Sequence, residues 1–273
     1  MWHRRPVVAG SFYSSNPKAL GDEIDEYLNL AEKKSIDGKV IGLISPHAGY
    51  VYSAPIAAYS YKHLMNSDIQ IAIVLAPCHR GRFNGASVIP SGVYETPFGE
   101  VSIDNLIGEK LIKQTHFDFF KEAHNSEHSL EVQVPFLQRT LQNFTLVPII
   151  IGTTDLDLCR AIAEEISDVL VNEKRKFIVV ISTDLSHYKM YEEACRMDNI
   201  FIEDIRSLDE VSLYNTLHSG RAEACGQGPV LIGLILCKAL GATKIDILKY
   251  ANSGDTAGGK DQVVGYLSAA IIK

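Results

Sequence analysis

The sequence predicts one α/β domain spanning 1–273, with a central mixed, mostly parallel sheet flanked by helices. Three observations carry that prediction. Apolar runs at 40–44, 69–76, 144–151 and 176–182 alternate with segments whose apolar residues recur at helical spacing, the pattern of parallel strands joined by helical crossovers. Two of the runs stop in the same way, in proline, histidine and glycine: Pro46-His47-Ala48-Gly49 and Pro77-Cys78-His79-Arg80-Gly81. No Pro/Ser linker, internal repeat or low-complexity run divides the 273 residues, so one domain is the economical reading.

The elements follow in order. Turn-rich residues 6–17 lead to a surface helix over 18–34, with Leu20, Ile24, Tyr27, Leu28 and Ala31 on one face. After the first strand, Ser53 is placed to cap a helix reaching about residue 65, whose apolar positions predict heavy burial. With the second strand this completes a βαβ unit over 40–76, expected as a right-handed crossover. The Gly- and Pro-rich stretch 83–103, with short β-like pieces at 86–89 and 100–103, reads as an excursion from the main sheet. Helices are expected over 104–114 and over 126–141, the latter kinked at Pro135. Beyond the strand at 144–151, a helix at 155–171 leads to the strand at 176–182. Helices then fall at 191–207, 209–218 and 229–240, and strands at 245–250 and 262–272 form an antiparallel hairpin.

Composition narrows the function. The chain is 46% hydrophobic and 22% charged, with net charge −7 and no basic stripe, which argues against nucleic acid as a partner. No run of about 18 apolar residues exists for a membrane span and no signal peptide is evident, so a cytoplasmic protein is expected. Five cysteines, odd in number and without a C-x-x-C pair, argue against a disulfide framework or zinc ribbon. Neither G-x-G-x-x-G nor a P-loop is present, which removes support for nucleotide phosphate binding.

His47, His79 and His187 each follow an apolar strand. Parallel strands deliver their carboxyl ends to one sheet edge, and neutral imidazole is the commonest protein metal ligand; the bland alternative for each is a turn-bonding histidine. His3, His63, His116 and His218 are expected to be solvated, while His124 and His128 stay open. Cys225 stands in a glycine-flanked loop before a helix, where backbone amides and the helix dipole would favour thiolate. Cys159, Cys195 and Cys237 read as small buried apolar residues. Cys78 is less suited to share an ion with His79, because adjacent strand residues point to opposite faces. Asp184, three residues before His187, is placed to orient that imidazole or to cap a turn. Glu127 and His128, with Glu131, either line a cavity or form a solvated first turn.

Ala9-Gly10-Ser11-Phe12-Tyr13, Ser45-Pro46-His47-Ala48-Gly49-Tyr50, Glu127-His128-Ser129-Leu130-Glu131, Ser182-Thr183-Asp184-Leu185-Ser186-His187 and Asn252-Ser253-Gly254-Asp255 together resemble the Memo family, named for a human mediator of ErbB-receptor-driven cell motility. The resemblance spans almost the whole chain. It implies a fold like that of the class III extradiol dioxygenases, metal ligation by His47, His79 and Cys225, and His187 with Asp184 in the place of a catalytic base. Tyr50, Glu127 and His128 would line the cleft. Prokaryotic relatives in AmmeMemoRadiSam groups suggest a radical-SAM protein as a functional neighbour. The dioxygenases hold iron with two histidines and a carboxylate, whereas a thiolate here would favour copper(I), zinc or a differently tuned iron. The expectation is a metal-dependent oxidoreductase, with iron or copper as cofactor and zinc possible, acting on a small-molecule or peptide ligand. The competing readings are a non-catalytic peptide- or protein-binding module and a hydrolase using Cys225 as nucleophile.

Overall fold

The computed structural model describes residues 2–273. After β1 (Trp2–Arg4), helix α1 (Pro17–Leu30) begins where the Asn16 side chain accepts the Ala19 amide and Pro17 takes a first-turn position that needs no amide partner. Strand β2 (Val40–Ser45) leads into α2 (Tyr50–Tyr61), which starts ahead of Ser53. The Ser53 hydroxyl donates back to the Ala48 carbonyl instead of capping the helix. Pro55 is tolerated inside α2 because Val51, whose carbonyl loses its partner, is exposed to solvent. Next come β3 (Ile71–Pro77), β4 (Ala86–Val88), β5 (Gly92–Thr96), β6 (Gly99–Ser102), α3 (Asn105–Leu111), β7 (Phe117–Asp118), α4 (Lys121–Asn125), α5 (Gln133–Thr140) and β8 (Thr145–Ile151). The chain closes with α6 (Leu156–Leu170), β9 (Phe177–Ser182), β10 (His187–Lys189), α7 (Tyr191–Arg206), α8 (Glu210–His218), α9 (Gln227–Ala239), β11 (Lys244–Asn252), α10 (Ser253–Thr256) and β12 (Val263–Ile272).

The main sheet is mixed, in the order β10-β12-β2-β9-β3-β8-β4-β7, with β11 paired to β12. Its centre, β2-β9-β3-β8, is parallel, while β12 runs antiparallel to β2 and β11. The strands of the 40–76 unit are therefore parallel but not neighbours, because β9 lies between them. Ile71, Ile73 and Leu75 face one apolar layer with residues of α6 and α9, and Ala72, Val74 and Ala76 face the other with residues of α1, α2 and α5. Burial on both faces explains why these strands read as unbroken apolar runs.

Two expectations are corrected. The stretch 83–103 is only partly an excursion: β4 joins the main sheet beside β8, and β5 and β6 form a separate three-stranded sheet with β1. Residues 126–141 are not one kinked helix. The Glu127 carboxylate takes the amides of His128 and Ser129, and the Ser129 hydroxyl donates to the Pro77 carbonyl, so the chain turns there and becomes helical only at Gln133. Pro135 then falls in the first turn of α5, where a missing amide is harmless. Among the described residues, no helix is long and apolar enough to cross a membrane.

Candidate metal centre

The parallel strands β2, β3 and β9 end at one edge of the sheet, and that edge gathers His47, His79 and Asp184. The His47 amide donates to Asp184 Oδ1 at 2.7 Å, and the buried His47 ring places Nδ1 2.8 Å from Ser182 Oγ. The Ser182 hydroxyl already donates to the Ser129 carbonyl at 2.7 Å and accepts from Gln133 Nε2 at 2.7 Å. Nδ1 of His47 must therefore carry the proton it donates, which leaves the lone pair on Nε2. Burial, reinforced by the neighbouring imidazoles of His79, His128 and His187, holds the His47 pKa well below its ordinary value. The ring is thus neutral, the form that binds a metal.

His79 is oriented by a carboxylate. Its amide donates to Glu127 Oε2 at 2.6 Å and its Nδ1 to Oε1 at 2.9 Å, so its Nε2 is also free. Burial alone would raise the Glu127 pKa, but the bonds from His79 and the Ser129 amide bring it down to about 2. A carboxylate behind the imidazole is the usual support of a metal-bound histidine. His128 stacks on His79 with ring centroids 4.7 Å apart and meets His47 edge-on at 5.5 Å; burial lowers its pKa to about 4.

Cys225 lies beside His47, with Sγ 3.1 Å from Nε2 and accepting the Asp184 amide at 3.2 Å. Among the described residues two donor sets result: His47, His79 and His128, and His47, Asp184 and Cys225, each with ligand atoms within 4.8 Å of one another. Two donors that each lie about 2.0–2.3 Å from one ion are at most roughly 4.0–4.6 Å apart, so small side-chain shifts would bring either set onto an ion. His47 belongs to both sets. His79 and Cys225 fall in different sets, so the expected trio meets at His47 without forming one set of its own. Neutral imidazoles, a carboxylate and a sulfur suit iron, copper or zinc better than calcium or magnesium.

Four expectations change here. Asp184 does not orient His187: its oxygens face His47, and His187 Nδ1 lies 2.7 Å from the Leu185 carbonyl. Burial raises the Asp184 pKa to about 6 against the bonds from the His47 and Ala48 amides. The Cys225 thiol is pushed up by burial and by Asp184, so the loop amides do not produce a free thiolate, and the imidazole that touches it is His47. Tyr50 is buried beneath the cleft, its hydroxyl donating to the Val132 carbonyl at 2.9 Å. Glu131 is structural: it pairs with buried Arg4 at 2.6 Å and accepts the Val7 and Val8 amides and the Tyr13 hydroxyl.

Beside the donor sets opens a cleft of about 590 Å³ whose wall includes Phe12, Tyr52, His128, Asp184, His187, Tyr188 and Tyr266. His187 Nδ1 lies 2.7 Å from the Leu185 carbonyl and so carries a proton, which leaves Nε2 as the ring atom able to face a ligand in the cleft. Sequence reasoning missed the supporting roles of Ser182, Gln133 and Ser129. Their only signal was position, Ser182 at a strand end next to Thr183-Asp184 and Ser129 beside Glu127-His128.

Comparison with known proteins agrees with this architecture. A family model described as Memo-like protein matches residues 4–270. A MEMO1 family protein of Sulfolobus acidocaldarius is 39% identical over 97% of this chain and 98% of its own. MEMO1 family proteins of Saccharolobus islandicus and Saccharolobus solfataricus are 41% and 40% identical over the same shares. The chain belongs to the Memo family.

Proposed function

We propose that this chain is a metal-dependent oxidoreductase in which His47, His79 and Cys225 hold one iron or copper ion, with His128 beside it, and His187 and Asp184 manage a proton on a ligand in the adjoining cleft. The observation that carries this reading is the fixed tautomer of two imidazoles: Ser182 and Glu127 hold the Nδ1 protons of His47 and His79, so Nε2 of each is left as the metal-binding atom, that of His47 lying 3.1 Å from Cys225 Sγ. Iron or copper would supply one-electron chemistry there, and zinc fits the same donors without it. Asp184, raised to about 6 by burial, can hold a proton near neutral pH, and the free Nε2 of His187 can accept one from a ligand in the cleft. A nucleophilic Cys225 is the weaker reading, since burial opposes thiolate formation by the protein groups alone.

The test is elemental analysis of protein purified anaerobically without added metal. Iron or copper should co-purify with the native chain and fall away in Cys225→Ser. Absence of both metals, or their full retention in Cys225→Ser, would overturn the reading.

A further inference from the structure

We infer that Tyr188 is a ligand-gripping side chain of the cleft, held in strained backbone geometry for that purpose, and that what it grips is a small molecule with a flat apolar face. His187 pairs with Val264 and Lys189 with Val263 across an irregular register, which makes Tyr188 the extra residue of a β-bulge. Its φ is +57°. A left-handed bulge position is ordinarily glycine's, and a bulky aromatic there is an outlier.

Among the described residues, three other non-glycine residues have positive φ, and each has a local reason. Asn66 and Asn143 are of the type that tolerates the left-handed region, and Leu208 packs its side chain against the core. Tyr188 has neither: it is 69% exposed, so burial within the chain does not compensate the strain. The bulge is anchored on both sides: before it the Ser186 amide is held by buried Asp198 at 3.0 Å and Gly265 bonds Leu185 and Ser186, and after it Lys189 pairs with Val263. Strain that the surroundings enforce and the fold does not use points to function.

The ring stands on the cleft wall, 5.8 Å from the His187 ring and at 71° to it, in company with Phe12, Tyr52 and Tyr266. Four aromatic side chains in one cleft wall favour a ligand with a planar apolar group, and a volume of about 590 Å³ suits a small molecule. The inference does not depend on any metal being bound.

Full-length protein dialysed against a chelator provides the test, with indole as probe in equilibrium dialysis and urea unfolding in parallel. Tyr188→Gly should bind indole several-fold to roughly ten-fold more weakly. The same variant should unfold at higher urea, its folding equilibrium gaining up to roughly ten-fold before glycine's freedom in the unfolded chain takes back part. Tyr188→Phe should bind within about two-fold of the native chain, because the ring face is kept. Tyr188→Ala should lose binding without gaining stability. Native-like indole binding by Tyr188→Gly, binding by Tyr188→Phe as weak as by Tyr188→Gly, no gain in stability for Tyr188→Gly, or no indole binding by the native chain would each overturn the inference. All four readouts are independent of metal content, so failure of the proposed metal site would leave them unaffected.

Discussion

Glu127 offers the sharpest single perturbation of the site. Its buried carboxylate receives four hydrogen bonds: the His79 amide on Oε2 at 2.6 Å, and His79 Nδ1, the His128 amide and the Ser129 amide on Oε1 at 2.9, 2.9 and 3.0 Å. Glu127→Gln keeps the shape but offers only one acceptor oxygen. If that oxygen stays with the three donors at Oε1, the new NH2 group faces the His79 N–H, so one charge-assisted bond is lost and a buried donor is left unpaired. A loss of about 2–3 kcal/mol in folding stability follows. Because the negative charge behind His79 Nδ1, which raises the basicity of the imidazole, is also lost, metal affinity should fall by roughly 10- to 100-fold. Urea unfolding of metal-free protein measures the first effect, and competition against a chromophoric chelator measures the second. Glu127→Gln with stability and metal affinity both indistinguishable from the native chain would refute the role assigned to this carboxylate.

Other elements make separate predictions. Arg4 is buried against Glu131 at 2.6 Å and also donates to the carbonyls of His124 and Glu127, so Arg4→Met should cost about 3–5 kcal/mol in urea unfolding by leaving a buried charge without its cation. Burial raises the pKa of Asp198 against bonds from the Ser186 amide and the Tyr250 hydroxyl. The folded state therefore holds that proton more tightly than the unfolded one, and stability declines as pH rises from the ordinary carboxyl value through the raised one. Asp198→Asn should abolish that decline and equal or exceed native stability at pH 8, measured as urea midpoints across pH. A Cβ at Gly228 would lie 2.1 Å from the Thr153 carbonyl oxygen, so Gly228→Ala should cost about 1–3 kcal/mol in the same assay. By displacing the start of α9, it should also weaken metal binding through Cys225.

The central strands were legible because burial on both faces leaves no room for polar residues, and His47, His79 and His187 were legible because they follow those strands directly. Strand order was not. β9 inserts between β2 and β3, and three equally apolar strands carry no mark of their neighbours. β7 and β10 are two and three residues long, too short for an alternating pattern to register. The turn at 126–132 was mistaken for helix because its cause lies far away in sequence: Glu127 folds onto the His79 amide 48 residues back, and Ser129 onto Pro77. The same distance hid His128's place beside His47 and His79. Asp184 was assigned to His187 from sequence proximity, whereas the parallel pairing of β2 with β9 brings it to His47. The Cys225 environment was misread in sign because the loop glycines and following helix suggested stabilising amides, while burial and the neighbouring Asp184 charge act the other way.

His47 is the residue common to both donor sets, so the most direct measurement is the metal content of anaerobically purified native chain beside His47→Ala, with circular dichroism to establish that both are folded. The account predicts stoichiometric iron or copper in the native chain and its loss from a folded His47→Ala. Metal-free native protein, or the same iron or copper content in His47→Ala, would contradict it.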